Sequence, residues 1–254
     1  MIFTTDSKEL QNALDKIQVK GKHLTTNGFS NSSIGSLFWA ELKDNTLSIW
    51  NGDATFIVNI TLEVNGEKDG NFIADAKELT PFLKSFTGEI KINVGDVVSV
   101  TQENKDANIP KVAIHSGFEA INRVRTLLSH VTYEANPQTM FSFNKKPFEG
   151  AFTLNMDKFK NTIKSCELAK TGVYKLNYDE GVSTFSSGNN TSSKYSENVT
   201  PVFNSGESAT VEFSGPLYSF FDNDQLLNFY VKDEFPILIV ANDRLLLKAP
   251  TVNG

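Results

Sequence analysis

One cysteine, three histidines and two tryptophans in 254 residues leave little material for several kinds of chemistry. A lone thiol, Cys166, cannot build an internal disulfide framework, which fits a reducing compartment. His23, His115 and His130 are scattered without metal-ligand spacing, and neither a GxxxxGK[ST] loop nor a GxGxxG fingerprint occurs. The acidic pairs Asp179-Glu180 and Asp233-Glu234 fall in expected turns, where solvation accounts for them. The reading is therefore not an enzyme, with no catalytic residue, no metal and no cofactor. No apolar run approaches the ~20 residues of a membrane-spanning helix, so no membrane partner is expected. The opening MIFTTDSKEL lacks the basic start and apolar stretch of a secretory signal, which makes a cytoplasmic location the expectation. Basic charge is also in deficit, at 24 Lys and Arg against 30 Asp and Glu. A net charge of −6 gives no general attraction to polyanions, so any such contact must be local.

What the chain does have is repetition. Residues 3–17, FTTDSKELQNALDKI, read as a strand, a turn and an amphipathic helix, and 152–168, FTLNMDKFKNTIKSCEL, read the same way. A second echo pairs LTPFLKSF at 79–86 with LYSFFDND at 217–224. Each is followed by strand-like runs, at 89–94 and 97–102 in the first half and at 226–232 and 237–241 in the second. Two copies of one unit imply a duplicated body, and 254 residues allow two cores of about 120 residues each. The segment 116–150 separates the copies. It opens with helix-like spacing of Phe118, Ile121, Val124, Leu128 and Val131, then reads as extended chain through Pro137, Pro147 and Gly150.

Helical periodicity assigns faces. With Leu10, Ala13, Leu14 and Ile17 turned inward, Lys8 points away; with Leu79, Phe82, Leu83 and Phe86 inward, Lys77 and Lys84 point away. In the third helix Phe159, Ile163 and Cys166 go inward, while Asn161 and Lys164 face out beside Lys158 and Lys160. The fourth, Leu217 to Asp222, carries no lysine. Cys166 thus reads as an inert core thiol. Lysine on one free helix face is ordinary solvation; its recurrence on three repeated helices is what suggests a shared cationic surface.

Most of the remainder is β-rich. Runs at 36–42, 46–52 and 54–64 are punctuated by Lys43-Asp44-Asn45 and Asn51-Gly52-Asp53, and 173–181 and 182–188 by Asp179-Glu180-Gly181. The polar tract 189–198 reads as a mobile loop. Strands and helices do not alternate regularly enough for a parallel sheet, so the fold class expected is α+β, as two similar domains of antiparallel sheets with two helices each.

Four stretches together resemble the DNA polymerase sliding clamps of the two-domain kind, similar to proliferating cell nuclear antigen and to tailed-phage clamps. They are FTTDSKELQNAL at the start, FIADAKELTPFLKSFTGEIKINV at 72–94, FEGAFTLNMDKFKNTIKSCELAKTGVYKLNYDEGVSTF at 148–185 and DEFPILIVANDRLLLKAP at 233–250. The resemblance implies domains at 1–116 and 148–254 joined by a linker at 117–147. It also implies a homotrimeric ring around double-stranded DNA that tethers a DNA polymerase and is opened by a clamp-loader ATPase. Lys8, Lys77, Lys84, Lys158, Lys160 and Lys164 would face the DNA, which they would attract without reading bases. Edge strands Lys111, Val112, Ala113, Ile114 and His115 of one subunit and Val182, Ser183, Thr184, Phe185 and Ser186 of the next would close the ring. Partner proteins would dock at Pro236, Leu247, Ala249 and Pro250, with Leu127 or Leu128 from the linker; the leucines read equally as ordinary core. The location implied is host-cell cytoplasm for a virus, or the nucleoid for a cell.

A second reading from another class is a β-rich structural or surface-binding protein, such as a virion component or adhesin. Glycosylation-type triplets at Asn31, Asn59, Asn190 and Asn198 and the Ser/Thr/Asn-rich tract at 189–198 suit it. A small-ligand-binding β protein has nothing specific behind it.

Overall fold

The computed structural model describes residues 1–18, 35–52, 55–112, 122–123, 125–128, 141–188 and 193–251. Within them the first half runs β1 (Ile2–Asp6), α1 (Ser7–Ile17), β2 (Leu37–Lys43), β3 (Thr46–Gly52), β4 (Phe56–Glu63), β5 (Asn65–Lys68), β6 (Gly70–Asp75), α2 (Ala76–Leu83), β7 (Glu89–Val94), β8 (Val97–Gln102) and β9 (Lys105–Pro110). A two-stranded hairpin follows, β10 (Ser142–Phe143) and β11 (Lys146–Pro147). The second half runs β12 (Gly150–Asn155), α3 (Met156–Cys166), β13 (Val173–Asp179), β14 (Val182–Ser187), β15 (Tyr195–Val199), β16 (Phe203–Gly206), β17 (Ala209–Ser214), a 3-10 turn (Leu217–Phe220), β18 (Leu226–Val231), β19 (Ile237–Ala241) and β20 (Arg244–Lys248).

Strand order shows the duplication. One sheet is β5-β1-β7-β8-β9, and one end of the nine-stranded sheet is β4-β3-β2-β6; in the second half the orders are β16-β12-β18-β19-β20 and β15-β14-β13-β17. Replacing each strand of the first half by its counterpart eleven strands later reproduces the second. Every ladder is antiparallel. The halves join where β20 pairs with β4, Arg244 opposite Ile60 and Lys248 opposite Phe56. That single ladder makes one nine-stranded sheet from five strands of one half and four of the other.

Alternation along these central strands builds two apolar layers. Phe56, Val58, Ile60, Ile237, Ile239 and Leu246 face the helices, while Ile57, Leu238, Val240, Leu245 and Leu247 face the other way. The helix layer is continuous, since α1 packs on α2 and on the 217–220 turn, which also touches α3. The helices start where the repeat says they should. Asp6 caps α1 by accepting from the Lys8 and Glu9 amides, at 2.8 and 3.2 Å, and Asp75 caps α2 through the Lys77 amide. Asn155 precedes α3 without a side-chain cap bond.

Three expectations need correction. Residues 217–222 form only a four-residue 3-10 turn, entered from Gly215 and Pro216, so among the described residues the second half has one α-helix rather than two. Phe82 is 45% exposed, because Ala76, Leu79, Thr80 and Leu83 make the buried stripe and turn Phe82 to the flank. The tract 189–198 is not all loop, since Tyr195 to Asn198 belong to β15, paired with β14.

Candidate nucleic-acid interface

The free faces of the three helices carry the lysines singled out by periodicity. Lys8 lies in the first turn of α1, Lys77 in the first turn of α2 with Lys84 at its C-cap, and Lys158, Lys160 and Lys164 along α3. All are exposed except Lys160, which is half-buried. The buried stripes beneath them leave no other direction for a long cationic side chain. Leu10, Ala13, Leu14 and Ile17 of α1 match Phe159, Thr162, Ile163 and Cys166 of α3, each set buried against its sheet.

Charge is distributed unequally over this layer. α1 sets Glu9 and Asp15 against Lys8 and Lys16, whereas α3 sets only Asp157 against its three lysines. Two of the α3 amines already have partners: Lys158 Nζ is 2.5 Å from Glu197 Oε1 on β15, and Lys160 donates to Asn223 at 3.1 Å. The Lys158 ammonium holds the Glu197 carboxyl below its usual range, with the Tyr195 hydroxyl adding a bond at 3.0 Å. Below the same layer, Cys166 is buried and its pKa is pushed up to about 11 by desolvation, then by Glu197 and Glu167, so its thiol stays protonated and inert. Among the described residues no group of three or more His, Cys, Asp or Glu is placed to hold a metal ion.

At the junction of the halves Arg244 is 2% exposed, and its charge is fully partnered. It donates to the Phe220 carbonyl at 2.9 Å and to the carboxylates of Asp222 and Asp243. Asp222 also receives Lys16 and Asn12 from α1, so one carboxylate ties the second-half turn to the first-half helix. A groove of about 580 Å³ opens here, lined by Glu9, Asn12, Asp222, Asp243 and Arg244 among others.

The opposite face of the nine-stranded sheet is covered by the chain itself. Leu128 and Leu247 belong there to one buried cluster with Phe141, Phe148 and Tyr230, at 6% and 4% exposure. Burial of this kind is what the core reading of these leucines expects. Leu127, Pro236, Ala249 and Pro250 are half-buried. Sequence reasoning missed what clamps this cover down. The Arg125 guanidinium lies 4.6 Å from the Trp39 ring centre and 4.8 Å from that of Trp50, and pairs with Glu41 at 2.7 Å. The cross-strand pairing of the two tryptophans on one face was the available signal.

The expected closing strands are also corrected. Val182 to Ser186 lie in β14, which is paired on both sides and cannot be an edge. Lys111 and Val112 follow the true edge strand β9, and Ala113, Ile114 and His115 lie outside the described residues. Among the described residues, the ends of the three larger sheets left open, once β5 turns into β6 and β16 into β17, are β9 and β15. Of the glycosylation-type sites, Asn59 is buried and donates to the Ile49 carbonyl, Asn198 sits in β15, and Asn31 and Asn190 lie outside the described residues. The 116–131 helix expectation falls mostly outside them too, with a helical turn at 125–127.

No family profile matches the sequence, and no curated protein matches it. Solved structures do, and they define the fold as that of the DNA sliding clamps. The DNA polymerase III beta subunit of Thermotoga maritima matches over 100% of this chain and 66% of its own, with a TM-score of 0.73 at 16% identity. The beta chain of Streptococcus pneumoniae matches with a TM-score of 0.73 at 14% identity, over 100% of this chain and 65% of its own. The PCNA of A. fulgidus, in a complex with the C-terminal region of FEN-1, matches over 100% of this chain and 99% of its own, with a TM-score of 0.70 at 12% identity. The chain thus spans about two thirds of the bacterial subunits and nearly the whole of the archaeal protein. No helix among the described residues is long and apolar enough to cross a membrane.

Proposed function

We propose that the protein is a DNA sliding clamp, a non-enzymatic processivity factor that encircles duplex DNA and holds a polymerase to it. The observation that carries the reading is the doubled architecture with one continuous helix layer, whose free faces bear Lys8, Lys77, Lys84, Lys158, Lys160 and Lys164 on a chain of net charge −6. Likeness over 99% of the A. fulgidus PCNA chain supports a subunit of two clamp domains, at 1–116 and 148–254, joined by 117–147. Duplex DNA presents one negative charge per about 1.7 Å, and flexible lysines attract it without fixing register, as sliding requires.

Closure follows from the open edges. β9 and β15 are the counterparts of β20 and β4, which already pair within the chain. Repeating that ladder between copies is head-to-tail, and a rotation that closes after three subunits gives a ring of six similar domains. Polymerase docking belongs to the face around Pro236, Ala249 and Pro250, and loading to an ATPase partner. The test is primer extension on a circular template with a cognate polymerase, a loader and ATP. Long products only when all three and this protein are present support the reading; product length unaffected by the protein overturns it.

A further inference from the structure

The internal join of the two halves, β20 on β4, has a defined register, and the open strands β9 and β15 are the counterparts of the two strands that make it. Arg244 is the first residue after the two-residue turn between β19 and β20, and Lys105 is the first after the equivalent turn between β8 and β9. Both side chains reach the same kind of acceptor: Arg244 donates to the Phe220 carbonyl at 2.9 Å, Lys105 to the Ser85 carbonyl just beyond α2 at 2.8 Å. On the receiving strand, Ile60 pairs with Ile49 and Glu197 with Phe185, and Ile49 and Phe185 each stand three residues after the first residue of β3 and β14. Glu197 is therefore the counterpart of Ile60, the residue opposite Arg244.

We propose that Lys105 of one copy stands opposite Glu197 of the next, and that this ion pair sets the register and partner choice of the chain-to-chain ladder. The inference rests on the ring reading above. Geometry supports it on two further counts. The Glu197 carboxylate lies on the helix side of its sheet, where it meets Lys158, and Lys105 turns to the helix side of its own. Two residues along, Leu246 opposite Val58 maps onto Ala107 opposite Tyr195, and all four belong to the helix-side apolar cluster or pack against it. Opposite charges directly across a ladder stabilise pairing and like charges oppose it. The pair also gives Glu197 a choice of cation, because its partner in the isolated chain is Lys158 of α3.

A charge-exchange cycle tests this, with association followed by sedimentation equilibrium and the fold of each variant checked by circular dichroism. Lys105→Glu and Glu197→Lys alone should each weaken self-association at least about tenfold, as like charges now face each other. Combining them should restore it to within a few-fold of the parent. Glu197→Gln, which keeps the shape of the side chain, should weaken association less than Glu197→Lys. A parent that associates while Lys105→Glu leaves it unchanged, or while the combination fails to restore it, overturns the register. A parent that stays at 28.1 kDa throughout would instead overturn the ring reading itself.

Discussion

The two halves share one strand order and differ in what they place on it. The first half has a second helix, α2, where the second half has a four-residue turn, and it balances α1 with as many acids as lysines. The second half spends its shorter turn on the junction, where Asp222 gathers Arg244, Lys16 and Asn12, and concentrates positive charge on α3. Topology is thus duplicated while chemistry is not: the second half carries both the carboxylate that anchors the join and the denser cationic helix face, and the first half carries the extra helix and a charge-balanced α1. A fold of this kind tolerates such divergence because the buried stripes, rather than the free faces, specify the packing.

The largest effect should come from the join. Arg244→Ala leaves the Asp222 and Asp243 carboxylates without their buried partner and should destabilise by about 3–5 kcal/mol in urea unfolding. Lys105→Ala, at the same position of the first half, ends on an exposed bond and should cost less than about 1 kcal/mol. Equal losses would break the distinction between a filled and an open end. Next comes the contact of Arg125 with the two tryptophans. Arg125→Ala removes a contact over two indoles and an ion pair, and should cost about 1–3 kcal/mol with an altered tryptophan emission spectrum.

Helix caps sharpen the comparison on a smaller scale. Asp6→Ala should cost about 1 kcal/mol, because two amides lose their acceptor, while Asn155→Ala should cost a few tenths. Smaller still is the Lys158–Glu197 pair, whose lowered carboxyl pKa gives a sign. Its contribution is present above the ordinary glutamate pKa and disappears as pH falls through the depressed folded value. Lys158→Met should flatten that acid limb of the stability profile, whereas Lys8→Met should leave it in place.

Legibility followed burial. The stripe Phe159, Ile163 and Cys166, and Leu10, Ala13, Leu14 and Ile17, are readable because apolar spacing at 3.6 residues has one structural meaning. β3, β7, β8 and β19 have the predicted bounds for the same reason, as β-branched and apolar runs closed by turn residues. The edges were misread because an edge strand is half polar: Lys105-Asp106-Ala107-Asn108 and Tyr195-Ser196-Glu197-Asn198 look like turn or loop until their partners are known. Leu128 and Leu247 are buried, as the core reading of the leucines has it, while the residues that share their cluster, Phe141 and Phe148, were not legible because they come from a segment without periodicity. The Arg125 contact with Trp39 and Trp50 joins residues more than seventy positions apart, beyond the reach of any local pattern.

Topological linkage is the property on which the whole account turns. The protein, loaded onto a nicked circular duplex with a loader and ATP, should stay bound through gel filtration and be lost when a restriction enzyme linearises the circle. Equal retention on circular and linear DNA would show binding by surface contact alone and contradict a ring that encircles its template.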